Sequence, residues 1–153
     1  MRKPEWIDNK QLFKVLRKQI RLCLHHSHFR SIIFISRRCK KDIVFKYIKF
    51  LINLNWLAKR NIIRIKNNAN EALLCFKNGS FIRIVPANQN VRGYRTHNVV
   101  IDSDIKNREI INCVIRPILR SLVILPPKWV MKLFGIKPYR VKRFKRNEYI
   151  VDI

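Results

Sequence analysis

Between residues 10 and 24, Leu12, Val15, Leu16, Ile20 and Cys23, with Gln19 among them, recur at three- and four-residue steps, and Lys and Arg fill the opposite side. That period predicts an amphipathic helix. The run SIIFIS (31–36) is short, apolar and rich in β-branched residues, which predicts a buried strand. From 39 to 54, Ile43, Val44, Tyr47, Ile48, Leu51 and Ile52 return to the helical step, and NIIRI (61–65) alternates weakly, as an edge strand does. In ALLCFKNGSFIRIV, Asn78 and Gly79, followed by Ser80, separate two apolar runs. An Asn-Gly pair so placed predicts a β-hairpin in which both turn positions take φ > 0.

The polar stretch VRGYRT (91–96) predicts a turn in which Gly93 supplies the conformational freedom, and NVVID (98–102) predicts a strand ending in an acid. Ile105, Ile110, Ile111, Val114, Ile115, Ile118 and Leu119 suit a helix with Asp104 as its N-cap, kinked or shortened by Pro117. Beyond LPP (125–127) a short helix at 128–134 and then a basic arm are expected, so the chain divides into a domain over 1–125 and a tail over 126–153. No internal repeat interrupts this order. Helix, strand, helix, hairpin, strand and helix in succession predict an α/β fold. NVVID, apolar along its length, reads as a central strand that delivers Asp102 to the C-terminal edge of the sheet, where ligands bind in open α/β sheets.

Composition sharpens this picture. The chain has 153 residues, enough for one domain with one core, and 48% are hydrophobic, which excludes a chain disordered by composition. Against 34 Lys+Arg stand 9 Asp+Glu, a formal net charge of +25. Self-repulsion of that size calls for a polyanion, nucleic acid first and an anionic membrane surface second. The densest clusters are RKQIR (17–21), RRCKK (37–41) and RVKRFKR (140–146), and their neighbours include Phe, Tyr and Trp. Basic and aromatic residues together suit phosphate contact and base stacking. The alternative is that they are solvated helix faces, or a compositional bias towards Lys, Ile and Asn. Cys23, Cys39, Cys75 and Cys113 form no CxxC pair and read as buried thiols of a reducing compartment. CLHHSH (23–28) lacks a second ligand pair at zinc-finger spacing. The N-terminal MRKPEWIDNK has no apolar signal-peptide core, and no stretch reaches the ~18 apolar residues of a membrane span.

An ordered set of motifs then points to a family. Phe76 to Ser80 (FKNGS), Phe81 to Val85, Arg92-Gly93-Tyr94-Arg95, Val99 to Asp102 and Ile105 to Leu119 together resemble the ATPase domain of the large terminase subunit, the DNA-packaging motor of tailed bacteriophages. IIFISRRCKKDIVFKYIKFLI (32–52) is similar to the family's earlier strand-and-helix unit and NIIRIKNNANEALLCF (61–76) to its lead-in, so the resemblance covers residues 30–120. It implies a partial P-loop-NTPase-like sheet with Asp102 as the Walker B acid, the residue that holds Mg²⁺ beside the nucleotide phosphates. Ser103 stands where the family has its catalytic Glu, and a hydroxyl is a poor general base at neutral pH. Asp104 comes one residue too late for that role.

The chain departs from the family in two further places. The Walker A pattern GxxxxGK[ST] is absent, and its expected place, ahead of SIIFIS, contains no glycine. The carboxylate-rich nuclease domain is missing too, and the acid-poor stretch 120–153 cannot supply its Mg²⁺ ligands. ATP and Mg²⁺ are therefore expected only where another segment supplies the missing loop.

Arg92 and Arg95 offer guanidinium groups either to a neighbouring subunit's nucleotide or to DNA phosphate, or else they are solvated turn residues. Arg37, Arg38, Lys40, Lys41, Arg140, Lys142, Arg143, Lys145 and Arg146 are the other candidate nucleic-acid contacts. Two readings follow. The first is a terminase-like protein or fragment tied to viral DNA packaging, without independent ATPase activity, working in a host cytoplasm with DNA and other terminase or portal subunits. The second is a small basic nucleic-acid-binding protein such as a divergent organellar ribosomal protein. A membrane-surface binder is a weaker third, for want of a long amphipathic helix with a strong apolar face.

Overall fold

In a computed structural model, residues 9–88, 94–119, 128–135 and 147–153 are described. They form a mixed α/β fold in chain order: α1 (Lys10–His25), β1 (Arg30–Ile35), α2 (Arg38–Leu54), α3 (Trp56–Asn61), β2 (Ile62–Asn67), β3 (Ala72–Phe76), β4 (Phe81–Pro86), β5 (Asn98–Asp102), α4 (Arg108–Ile110), a π-helical turn (Ile111–Ile115), α5 (Arg116–Ile118), α6 (Lys128–Phe134) and β6 (Asn147–Val151). The strands make one six-stranded sheet in the order β2-β3-β4-β1-β5-β6. β1 runs parallel to β4 and β5, and β5 parallel to β6, while β2 and β3 are antiparallel additions.

Strand alternation divides the core in two. Ile33, Ile35, Ile82, Ile84, Leu74 and Val100 pack under α1 and α2, where Leu12, Leu16, Ile20, Val44, Ile48 and Leu51 meet them. On the other face Ile32, Phe34, Val85, Val99 and Ile101 pack against Val114, Ile115, Ile118 and Leu119. β1 and β5, covered on both sides, need unbroken apolar sequence, which is why SIIFI and NVVI show no alternation.

The Asn-Gly hairpin joins β3 to β4, with a different turn from the one expected. The amide of Gly79 donates to the carbonyl of Phe76 at 3.1 Å and that of Phe76 to Ser80 at 2.9 Å. Only Gly79, at φ +84, is left-handed in the loop, so this is a three-residue turn with a glycine bulge rather than a two-residue mirror turn. Asn78 is diverted by tertiary contacts. Its amide nitrogen donates to the carbonyls of Cys23 (2.7 Å) and His26 (3.2 Å), at the end of α1, and Ser80 Oγ donates to His26 at 2.6 Å. The hairpin thereby satisfies carbonyls that the helix end leaves open. A Cβ on Gly79 would fall on the His28 imidazole. Gly79→Ala is expected to cost about 1–2 kcal/mol, mostly backbone strain, and an unchanged urea midpoint would contradict that.

Several further expectations change or are refined. Asp104 does not cap the helix that follows it: Asn107 does, accepting from the amides of Glu109 and Ile110, and the helix begins at Arg108. Pro117 sits just after a widened turn in which the Arg116 amide reaches Ile111, a register that avoids the clash its ring would make in a regular α-helix. The C-terminal segment is not wholly an arm, since Asn147–Val151 adds β6 at the sheet edge. Cys23 is buried and Cys75 half-buried, whereas Cys39 and Cys113 are exposed, so the four thiols are not uniformly internal. Ile43, placed in the apolar stripe of α2, is 47% exposed.

Candidate functional site

Asp102 ends β5 at the C-terminal edge of the parallel strands, and its side chain is fully buried. β1 lies beside it and ends one residue before Ser36, whose amide (3.1 Å) and hydroxyl (2.7 Å) both donate to Asp102 Oδ2. From the first turn of α2, Lys40 Nζ donates to the same oxygen at 2.9 Å and also pairs with Asp104 Oδ2. Oδ1 accepts the Asp104 amide at 3.1 Å. Burial works against the charge of Asp102, but the hydrogen bonds from Ser36, Lys40 and the Asp104 amide outweigh it and hold its pKa below the usual carboxylate range. Burial likewise opposes the charge of Lys40, and the two carboxylates raise its pKa above the ordinary lysine value.

The turn that meets Asp102 follows β1 and leads into α2. It is the strand-to-helix junction beside Asp102, and phosphate loops in general sit at junctions of that kind. Only Ser36 and Arg37 lie between the two elements, with no glycine, which is too short to cradle phosphates with backbone amides. Nor do the residues present fit Mg²⁺. Both oxygens of Asp102 are taken by four donors, and the Lys40 ammonium bridges the two carboxylates a cation would need. Among the described residues no three His, Cys, Asp or Glu side chains group as a metal would require. Ser103 turns the other way: its amide donates to the Val151 carbonyl at 2.9 Å and its hydroxyl to Asp152, fastening β5 to the end of β6.

The remaining candidates separate. Of RRCKK, Arg37 and Arg38 are exposed, Lys40 is engaged by the carboxylates, and Lys41 is buried at 5% exposure with Nζ donating to the Asn68 carbonyl. Arg95 is exposed at the opposite edge of the sheet; Arg92, Gly93, Arg140, Lys142, Arg143, Lys145 and Arg146 lie outside the described residues. A second polar cluster, unanticipated from sequence, lies in the core. Gln19 Oε1 accepts from Ser31 Oγ (2.8 Å) and Asn98 Nδ2 (3.2 Å), and beside it buried His97 accepts the Arg30 amide on Nδ1 at 3.0 Å. The signal in sequence was Gln19, a polar residue inside an apolar helical stripe.

Among the described residues no helix is long and apolar enough to cross a membrane. No protein-family model matches the chain, and comparison with curated proteins finds no relative.

Proposed function

We propose that the chain is a terminase large-subunit-like protein or fragment, derived from a P-loop ATPase, that does not turn over ATP by itself and acts through nucleic acid. The observation that carries this reading is Asp102: a strand-end acid beside a central strand-to-helix turn, with a lysine ammonium bridging it to Asp104. That placement supports descent from a nucleotide-binding sheet. The filled carboxylates and the two-residue, glycine-free turn support loss of hydrolysis. Its setting would be the host cytoplasm, with DNA and terminase or portal subunits as partners. A second reading, a basic nucleic-acid-binding protein such as a divergent organellar ribosomal protein, is favoured by the net charge of +25. Co-purification with ribosomal particles rather than with packaging proteins would select it.

Two measurements on the full chain test the proposal together. No ATP hydrolysis above background is expected, and turnover abolished by Asp102→Asn would overturn that. Binding to a labelled oligonucleotide should weaken roughly a hundredfold or more between about 50 and 200 mM salt, as displaced counterions return. An affinity indifferent to salt would remove nucleic acid from the proposal.

A further inference from the structure

At the edge of the sheet opposite Asp102, the first residues of β1 and β4 are paired, Arg30 with Phe81, and the next positions on the same face pair Ile32 with Arg83. Tyr94 and Arg95 come alongside, and these six residues line a cavity of about 230 Å³, several times the ~30 Å³ share of one water molecule. Three arginines thus line one hollow. Among the described residues none of the three is in an ion pair with a carboxylate.

Arg83 is the centre of this arrangement. Its guanidinium lies 4.6 Å from the centroid of the Tyr94 ring and 5.6 Å from that of Phe81, and its buried Nε has no hydrogen-bond partner. Aromatic faces steer a guanidinium without neutralising it. The planar group is therefore held beside two rings, with no carboxylate paired to it among the described residues, which is the preorganised state an oxyanion needs. The backbone beneath is also fixed: the Arg30 amide donates to His97 Nδ1 at 3.0 Å, and its carbonyl accepts from Thr96 Oγ1 at 2.8 Å. Arg30 and Arg95 are exposed, so an anion reaches the hollow from solvent. The same sheet face continues onto β2 through exposed Arg64, which lies across from Cys75 of β3.

We infer that the hollow formed by Arg30, Arg83, Tyr94 and Arg95 is an anion site that takes a phosphodiester of a nucleic-acid strand laid across this sheet face. The inference deepens the nucleic-acid part of the proposed function and rests on it. A strand is the occupant that the charge favours, because Arg64 extends the basic surface beyond what one free phosphate could use.

The test uses the full chain, a labelled single-stranded DNA oligonucleotide and a salt titration. Replacing both Arg83 and Arg95 with Gln is expected to weaken binding about tenfold or more and to lower the slope of log K against log salt by about 2. Arg95→Gln alone, at an exposed position whose loss leaves folding intact, should lower it by about 1. Lys49→Gln, on α2 in the opposite layer, should leave the slope unchanged. Inorganic phosphate should compete only at concentrations far above the oligonucleotide's. If the oligonucleotide binds with the same slope in the double variant, the site is refuted while the nucleic-acid reading survives. If it does not bind the unaltered chain, both fall. If inorganic phosphate binds as tightly as the strand and with the same arginine dependence, the occupant is a free anion and the strand assignment is wrong.

Discussion

Asp102→Ala should destabilise the fold by about 3–5 kcal/mol, the cost of stripping one partner from a buried ion pair. The carboxylate is fully buried and accepts from Ser36 N, Ser36 Oγ, Lys40 Nζ and Asp104 N. Without it the Ser36 amide loses its partner, and Lys40, whose side chain is 12% exposed, keeps only the solvent-facing Asp104. Deleting a buried methylene or two would cost less, so charge and not volume sets the size of the effect. Lys40→Met in the same background should recover part of the loss, because it removes the unpaired ammonium, and the non-additivity of the pair measures their coupling. Urea denaturation of the four species decides the matter. A loss under about 1 kcal/mol for Asp102→Ala would show that the carboxylate is solvated and free to serve a ligand. The same series carries a functional readout: Mg²⁺ should not raise the melting temperature, and a rise abolished by Asp102→Asn would mean the cation displaces Lys40.

How much of this was legible in sequence depended on whether the governing contacts were local. α1, α2 and β1 are set by periodicity and β-branching, which a window of a dozen residues contains, and their bounds fall within two residues of expectation. Asp102 at the end of a central strand was legible for the same reason: a strand buried on both faces leaves an unbroken apolar run. The failures are long-range. Asp104 and Asn107 are both good N-cap types, and Lys40, distant in sequence, draws Asp104 to the β1–α2 turn and leaves capping to Asn107. β6 follows a dense run of basic residues, and its assignment depends on pairing with β5, about fifty positions earlier, which no local pattern encodes. Lys41 follows helix phase. It precedes Val44 and Ile48 by three and seven residues, so the stripe that buries them buries it as well. Helix phase sends the members of RRCKK in different directions, Arg38 to solvent, Lys40 to the carboxylates and Lys41 into the core. The hollow around Arg83 was beyond sequence reading, since Arg30 is about fifty positions from Arg83 and reaches it only through the pairing of β1 with β4.

Stability should fall as pH drops from about 6.5 towards 4, and His97 should be the main cause. The imidazole is 2% exposed, stacks on Phe29 with centroids 5.2 Å apart, and accepts the Arg30 amide on Nδ1, an interaction that requires the unprotonated nitrogen. Burial first, then the nearby charges of Arg30 and His26, push its pKa from 6.5 down to about 4. The native state therefore keeps His97 neutral while the unfolded chain takes up a proton below its ordinary value. Between those two values the unfolded state binds more protons, so unfolding becomes easier as pH falls; above 6.5 the contribution is complete, and below 4 it has been lost. The full difference corresponds to roughly 3 kcal/mol at about 1.4 kcal/mol per pH unit. Asp102 acts lower on the scale, because a carboxylate with a depressed folded pKa loses its contribution only as pH falls from the ordinary carboxylate value of 3.8 downward. His97→Gln, which can still accept the Arg30 amide but cannot titrate, should start less stable and show a nearly flat profile between pH 6.5 and 4. Equal slopes for the two proteins across that interval would mean that the core histidine is solvated in the folded state, and the polar cluster beneath β1 with it.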